Sequence, residues 1–130
     1  MNKEFKNNHK TALITGGVEG IGRAIAVRLA NDGFRLAINY KDRTLEKKAG
    51  MLAKILEKNK TDVLLLKADI TDEIQVRNMF KKIENRFGAL DAVINNAGIN
   101  QTKSLDRLNM VDFDSVMNVN LRGAVLVSKY

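Results

Sequence analysis

Short apolar runs and longer amphipathic segments alternate along this chain of 130 residues, and that alternation limits the folds it can form. The short runs are typical of buried strands, whereas the longer segments carry apolar residues every three or four positions, as helices do. Strands that alternate with single helices are joined by right-handed crossovers and form a parallel sheet. The sequence therefore predicts an α/β fold, with a doubly wound parallel sheet between two layers of helices. At this length we expect one domain spanning residues 1–130.

Four strands and four helices are predicted. The strands lie at residues 11–15, 35–39, 63–66 and 90–94, and the third is a continuous apolar run of the kind that is buried on both faces. The first helix runs from Ile21 to about Asp32 and is closed by Gly33, and the third has Thr71 as its N-cap and ends at Gly88. The apolar stripes of the second, third and last helices are Leu45, Ala49, Leu52, Leu56; Val76, Phe80, Ile83, Phe87; and Phe113, Met117, Leu121, Ala124.

The turn from the first strand into the first helix is rich in glycine. It reads Thr15-Gly16-Gly17-Val18-Glu19-Gly20-Ile21-Gly22, and we call these eight residues the glycine corner. Such a turn leaves unpaired backbone N–H groups at the positive end of a helix dipole, which suits the pyrophosphate of a dinucleotide. By analogy with the G-x-G-x-x-G order, Gly16 permits the tight turn, Gly20 admits the phosphate, and Gly22 allows close packing of helix and strand. A glycine-rich turn without a ligand is the alternative.

Composition excludes several classes of protein. No apolar run approaches the ~20 residues of a membrane span, and the polar first ten residues lack the apolar stretch of a secretory signal. Without cysteine there is neither a disulfide framework nor a thiolate metal site. We therefore expect a cytoplasmic protein that has no membrane partner and no metal.

The net charge of +7 raises the question of nucleic-acid binding. Five of the basic residues lie along the second predicted helix without an aromatic platform: Lys47, Lys48, Lys54, Lys58 and Lys60. This pattern favours a solvated helix surface over a phosphate-tracking stripe, so no nucleic-acid partner is expected. The excess charge can still steer an anionic cofactor or acyl carrier toward the protein.

Three further segments follow the glycine corner along the chain: Asp69-Ile70, Asn95-Asn96-Ala97-Gly98 and Asn118-Val119-Asn120-Leu121. Together the four segments resemble the short-chain dehydrogenase/reductase family. Within it they most resemble 3-oxoacyl-[acyl-carrier-protein] reductases and acetoacetyl-CoA reductases. The resemblance runs from Thr11 to about Val127 and implies a Rossmann-type fold that binds NAD(P).

The resemblance also implies roles for individual residues. The glycine corner would hold the pyrophosphate, and Asn120 would be the catalytic asparagine that orders a proton-relay water. The other cofactor contacts would be Tyr40 and Lys41 at the adenosine ribose, Asp69 and Ile70 at adenine, and Asn96, Ala97 and Gly98 near the nicotinamide ribose. Because parallel strands place their carboxyl ends at one edge of a sheet, these residues are expected to line one crevice.

The choice between NADP and NAD depends on the end of the second strand. Asp42 has the ~20-residue separation from the glycines expected of an acid that binds the ribose 2′-hydroxyl of NAD. The family pattern instead places Tyr40 at the discriminating position, with Lys41 and Arg43 near enough to pair with a 2′-phosphate. Glu19, an acid near the same phosphate, favours NAD. We predict NADP, with NAD as the alternative.

In the family a serine and a Tyr-x-x-x-Lys motif carry the chemistry, and the sequence has no such motif. We therefore expect this chain to be the N-terminal part of a longer reductase and to be inactive alone. Its fourth strand would then form an exposed edge of the sheet. Its complete form would reduce a small-molecule or carrier-bound 3-oxoacyl thioester in fatty acid biosynthesis, and would be a homo-oligomer, a dimer or tetramer. The alternatives are a reductase of sugar, polyketide or steroid carbonyls, a non-catalytic dinucleotide-binding module, and a basic nucleic-acid-binding domain.

Overall fold

The structure, a computed structural model, describes residues 9–130. The predicted absence of a secretory signal falls mainly on residues 1–8, which lie outside the described part. The strands are β1 (Thr11–Ile14), β2 (Arg35–Tyr40), β3 (Val63–Lys67) and β4 (Ala92–Ile94). The helices are α1 (Gly20–Asn31), α2 (Glu46–Lys58), α3 (Glu73–Phe87), α4 (Met110–Met117) and α5 (Ala124–Lys129). Short 3₁₀ turns lie at Arg43–Leu45 and Leu105–Arg107, and a π-helical segment, Asn118–Gly123, joins α4 to α5.

All four strands are parallel and lie in the order β3-β2-β1-β4. The chain builds outward from β1 to β2 and β3, then crosses back to place β4 on the other side of β1. In register, Leu13 of β1 lies beside Ala37 of β2 and Val93 of β4. The reversal of strand order beside β1 is the position where doubly wound sheets open a ligand crevice. The predicted fold class is confirmed.

Alternate residues of the central strands fill two apolar layers, one on each face of the sheet. Ile14 and Ile38 pack with α1 and α2, and among their neighbours are Leu52 and Leu56 of α2. On the opposite face, Leu13, Ala37 and Leu66 pack with Val76, Met79 and Ile83 of α3 and with Leu126 and Val127 of α5. The period-2 alternation of each strand thus divides its side chains between two helical layers.

The prediction that the third strand is buried on both faces is wrong. Val63, Leu64 and Leu65 are only half-buried, and Leu66 alone in the apolar run is fully covered. The reason is position, because β3 is an edge strand with β2 as its neighbour on one side. An apolar run indicates a buried strand but cannot say whether that strand is central or at the edge.

The predicted N-cap of α3 is also wrong by one residue. Asp72, not Thr71, caps the helix, since its carboxylate accepts hydrogen bonds from the N–H groups of Ile74 (2.9 Å) and Gln75 (3.1 Å). Thr71 instead donates its N–H and its hydroxyl to the carboxylate of Asp69. This local Asx turn occupies Thr71, so the helix begins one residue later.

The last predicted helix is interrupted by the π-helical segment. Its predicted stripe of Phe113, Met117 and Leu121 is largely exposed, whereas the side chains that enter the core are Leu126 and Val127. A π-turn contains an extra residue, which rotates the face of α5 that follows it; it does not account for the exposure of Phe113 and Met117, which precede it in α4. A regular helical repeat drawn through this segment therefore loses its phase.

The edge formed by β4 is open, as predicted. Among the described strands β4 pairs only with β1, and Val93 is 40% exposed. The five lysines of the second helical segment are exposed, as expected of a solvated surface. None of the described helices is long and apolar enough to cross a membrane. Within residues 9–130 no cluster of three potential metal-ligating residues is found.

Candidate dinucleotide-binding site

A cavity of about 340 Å³ lies at the carboxyl edge of the sheet, where the loops that follow all four strands meet. We call it the nucleotide cavity. Its lining comes from the loops after β1, β2, β3 and β4 and from the π-helical segment: Gly16, Glu19, Asn39, Lys41, Leu45, Ala68, Asp69, Ile70, Asn96, Ala97, Gly98, Ile99 and Val119. The structure therefore brings together residues from the glycine corner, Asp69-Ile70 and the Asn96 loop, as predicted from their positions after strand ends.

The glycine corner ends in a helix terminus whose amides are free to bind. Gly16 and Gly20 adopt left-handed backbone angles, with φ of +60° and +55°. Glu19 is the N-cap of α1 but makes no side-chain capping bond, and the first turn contains no acidic residue. The first N–H groups of a helix have no intrahelical acceptor, so those of Gly20, Ile21 and Gly22 can serve a ligand.

Asn96 locks the glycine corner to β4. Its side-chain amide donates to the carbonyl oxygens of Thr15 (2.9 Å) and Gly16 (3.0 Å). In return, the hydroxyl of Thr15 accepts from the N–H groups of Asn96 and Ala97, both at 3.0 Å. Gly22 makes this arrangement possible, since a Cβ there would lie 2.4 Å from the Gly16 carbonyl oxygen and 2.5 Å from Asn96 Nδ2. Gly22 thus packs against the corner itself and the Asn96 side chain.

Asn39 is a site residue that the sequence analysis missed. It is 2% exposed, it lines the cavity, and its amide donates to the carbonyl oxygens of Leu66 (3.1 Å) and Ala68 (3.0 Å). Its side-chain oxygen accepts from the Gly16 N–H at 3.4 Å. Asn39 therefore joins the ends of β1, β2 and β3. The sequence does contain a signal for this role, since Asn39 stands near the end of a mainly apolar strand. An amide that is buried there needs hydrogen-bond partners.

Of the two residues predicted at the adenosine ribose, the structure brings only Lys41 to the cavity. The Tyr40 side chain is 6% exposed and packs into the core on the α1 and α2 side. Burial raises the pKa of Tyr40, and the charge of Glu46 adds to that effect. Tyr40 is the last residue of β2 and its side chain belongs to one face of the sheet, whereas Lys41 lies in the loop that follows the strand.

Lys41 and Asp69 face each other across the cavity, with Lys41 Nζ 3.7 Å from an Asp69 oxygen. Burial on its own raises the pKa of Asp69, but two hydrogen bonds from Thr71 and the charge of Lys41 outweigh it and leave the pKa below its usual value. Asp69 is therefore an anion at neutral pH. Asp42, the alternative acid for the ribose, instead accepts hydrogen bonds from the N–H and hydroxyl of Thr44 and does not line the cavity.

Asn120 lies in the π-helical segment and is bound at both ends of its amide. Its oxygen accepts from the Ile99 N–H and its nitrogen donates to the Ile99 carbonyl oxygen, both at 2.8 Å. The residue is exposed, so hydrogen bonding rather than burial fixes its side chain. Gly98 allows this approach, since a Cβ there would lie 3.2 Å from the Asn120 side-chain oxygen. One lone pair and one N–H of the amide stay available to a further partner.

A glycine corner, an uncapped helix and a crevice at the strand-order reversal define a Rossmann-type dinucleotide-binding protein. A family model described as short chain dehydrogenase matches residues 10–130. The chain belongs to the short-chain dehydrogenase family.

Individual relatives agree with this assignment. The 3-oxoacyl-[acyl-carrier-protein] reductase FabG of Staphylococcus aureus is 38% identical over 114 residues, which cover 88% of this chain and 46% of the relative. A short-chain dehydrogenase from Burkholderia cenocepacia, solved in complex with NADP, is 40% identical with a TM-score of 0.85 over 92% of this chain and 48% of its own.

A 3-ketoacyl-ACP reductase from Sinorhizobium meliloti is 38% identical, with a TM-score of 0.84 over 92% of this chain and 46% of its own. The chain therefore spans about half the length of the relatives it matches.

Proposed function

We propose that this chain forms the cofactor-binding part of an NADPH-dependent reductase. The whole protein would reduce the 3-oxo group of an acyl thioester, carried by CoA or an acyl carrier protein, to the 3-hydroxyacyl form. The observation that carries the proposal is the uncapped N-terminus of α1, which begins at the left-handed Gly20 of the glycine corner, directly after Glu19, and Gly16 and Glu19 of that corner line the nucleotide cavity. The similarity to enzymes named 3-oxoacyl reductases supports the substrate class.

The pyrophosphate is assigned to the amides at the start of α1. Gly20 has a left-handed φ and nothing within 4 Å of the position its Cβ would take, so a phosphate can approach the backbone there. The helix dipole adds a partial positive charge at the same point. Residues 15–22 keep their predicted role in this proposal, mostly through backbone rather than side-chain atoms.

The adenosine half is assigned to Lys41, Asp69 and Ile70, which line the part of the cavity beyond β2 and β3. Lys41 gives the site a cation that can pair with a 2′-phosphate, and Arg43 follows two residues later. This supports NADP over NAD, as does the NADP complex of the Burkholderia relative. Because the Tyr40 side chain is buried, Lys41 carries this part of the proposal.

The nicotinamide half is assigned to Asn96, Ala97 and Gly98, with Asn120 close by. When bound, NADPH would supply the hydride for the carbonyl carbon. Ile99 fixes the Asn120 amide, whose free lone pair and N–H can orient the water of a proton relay. These residues contain no Tyr-x-x-x-Lys motif, the pattern that the family uses to protonate the substrate oxygen. We therefore propose that these 130 residues bind cofactor without turning over substrate.

The test is a calorimetric titration of the chain with NADPH and with NADH, beside variants that add one carboxylate. Gly20→Asp puts an anion at the proposed phosphate site, and we expect it to weaken NADPH binding at least about tenfold through like-charge repulsion. Gly88→Asp is the matched control, because Gly88 also has a positive φ (+80°) and open space at its Cβ but lies at the far end of α3.

The expected result is saturable NADPH binding that Gly88→Asp leaves unchanged and Gly20→Asp disrupts. No heat of binding in the unmodified chain would contradict the proposed function. Clear oxidation of NADPH in the presence of acetoacetyl-CoA by this chain would contradict the part of the proposal that assigns turnover to further residues.

A further inference from the structure

We infer that Lys48, on α2, determines the preference of the site for a 2′-phosphorylated cofactor by neutralising Glu19. This inference rests on the proposed function, since it concerns how the same site distinguishes NADPH from NADH. Lys48 lies outside the four motifs, and its position in the sequence predicts only a solvated helix surface.

Glu19 poses an electrostatic problem for an anionic cofactor. It is the N-cap of α1, and it lines the nucleotide cavity, as Lys41 does. A carboxylate in that position repels phosphate and cancels part of the attraction offered by Lys41. Taken alone, the residue would favour the uncharged ribose of NADH.

The structure shows a cation placed on that carboxylate. Lys48 Nζ lies 2.5 Å from Glu19 Oε2, although the two residues are 29 positions apart in sequence. A second cavity of about 290 Å³ contains both of them together with Gly20 and Arg23, and it adjoins the nucleotide cavity because Glu19 lines both. We call this second space the side cavity.

The pair changes the charge that a bound 2′-phosphate meets. With Lys48 in place, the residues around the cavity form two ion pairs, Lys48 with Glu19 at 2.5 Å and Lys41 with Asp69 at 3.7 Å. Without Lys48, the Glu19 carboxylate at the cavity is unpaired. The difference of one full charge acts on the phosphorylated cofactor much more than on NADH, which has a hydroxyl in its place.

The same contact contributes little to folding. Both side chains are more than half exposed, and ion pairs of this kind add little stability because water screens them. Replacement of Lys48 should therefore leave the fold intact and expose its effect on the ligand. Lys54, another exposed lysine of α2 that lines neither cavity, offers the matched control for loss of one positive charge.

The experiment measures Kd for NADPH and for NADH with the chain and with Lys48→Met, Lys54→Met, Glu19→Gln and the double variant Glu19→Gln with Lys48→Met. We expect Lys48→Met to weaken NADPH binding by about tenfold and NADH binding by less than about twofold, as loss of one neighbouring charge would do. In the Glu19→Gln background, loss of Lys48 should have a much smaller effect, because no carboxylate is then left uncovered. High salt should reduce the difference between the chain and Lys48→Met.

Two results would overturn the inference while leaving the proposed function intact. In the first, Lys48→Met lowers the affinities for NADPH and NADH by the same factor, or it lowers the affinity for NADPH no more than Lys54→Met does. In the second, its effect persists undiminished when Glu19 is glutamine, which would show that Lys48 acts independently of that carboxylate. Failure of the unmodified chain to bind either cofactor would refute the proposed function itself, and the inference with it.

Discussion

Gly22 is the position in the glycine corner where a side chain has the least room. Its missing Cβ would lie 2.4 Å from a backbone oxygen and 2.5 Å from the Asn96 amide that holds the corner to β4. Neither neighbour can move freely, because the amide makes two hydrogen bonds to Thr15 and Gly16. At the residue scale, the absence of a side chain at Gly22 therefore allows the glycine corner to pack against the end of β4.

We expect Gly22→Ala to lower the free energy of unfolding by about 1–3 kcal/mol, the usual cost of overpacking a tight site. It should also weaken NADPH binding, because the corner that presents the amides must shift. Urea denaturation and cofactor titration measure the two effects.

Gly50→Ala is the control for that substitution. Gly50 lies within α2, and a Cβ there meets nothing within 4 Å. Alanine should stabilise this helix by roughly 0.5–1 kcal/mol. If both variants changed stability in the same direction, close packing at Gly22 would not be the cause.

At the scale of the element, the π-helical segment Asn118–Gly123 connects the loop after β4 to the helical layer. Asn120 holds Ile99 by both backbone groups, and Arg122 donates a hydrogen bond to the Thr71 carbonyl oxygen of the loop after β3. Gly123 packs closely on Ile70, since a Cβ there would lie 2.7 Å from the end of the Ile70 side chain. This one segment thus contacts the loops that carry both halves of the proposed cofactor site.

Asn120→Ala should loosen the loop after β4 without unfolding the sheet. Each hydrogen bond to Ile99 is worth about 1 kcal/mol, so loss of one should speed amide exchange at Ile99 by about fivefold and loss of both by more. Hydrogen exchange followed by mass spectrometry reports this on peptides that contain Ile99. Asn118→Ala, an exposed asparagine in the same segment, should leave the exchange unchanged. Equal acceleration by both variants would indicate a general weakening of the helix.

At the scale of the whole molecule, the described residues leave two apolar surfaces open. One is the β4 edge with Val93, and the other is the outer face of the π-helical segment and α5, where Leu121 is 55% and Val125 57% exposed. A parallel edge strand with free backbone groups and an adjacent apolar face invites association with another chain.

We therefore expect the chain alone to self-associate as its concentration rises. Val93→Lys should shift the equilibrium toward the monomer, because a charged side chain on an edge strand opposes pairing. Sedimentation equilibrium measures the change. Ile74→Lys is the control, since Ile74 is an exposed apolar residue at the start of α3. A chain that stays monomeric at all concentrations would show that these surfaces are not adhesive.

Features that depend on residues close along the chain could be predicted from the amino-acid sequence. The order of strands and helices follows from local periodicity, and the glycine corner is encoded in eight consecutive residues. Asp69 and Asn96 could be predicted at one edge because each follows a strand, and parallel strands end together. All of these inferences needed only residues that are close along the chain.

Contacts between residues far apart along the chain could not be predicted in this way, because they depend on the folded arrangement. Asn96 reaches Thr15 across 81 positions, Asn39 reaches Ala68 across 29, and Lys48 covers Glu19 across 29. The burial of Tyr40, the edge position of β3 and the shifted face of α5 likewise depend on what packs beside them. Periodicity specifies which residues of one segment share a face. Hydrogen bonds, ion pairs and burial form between segments, so they depend on the positions of both partners.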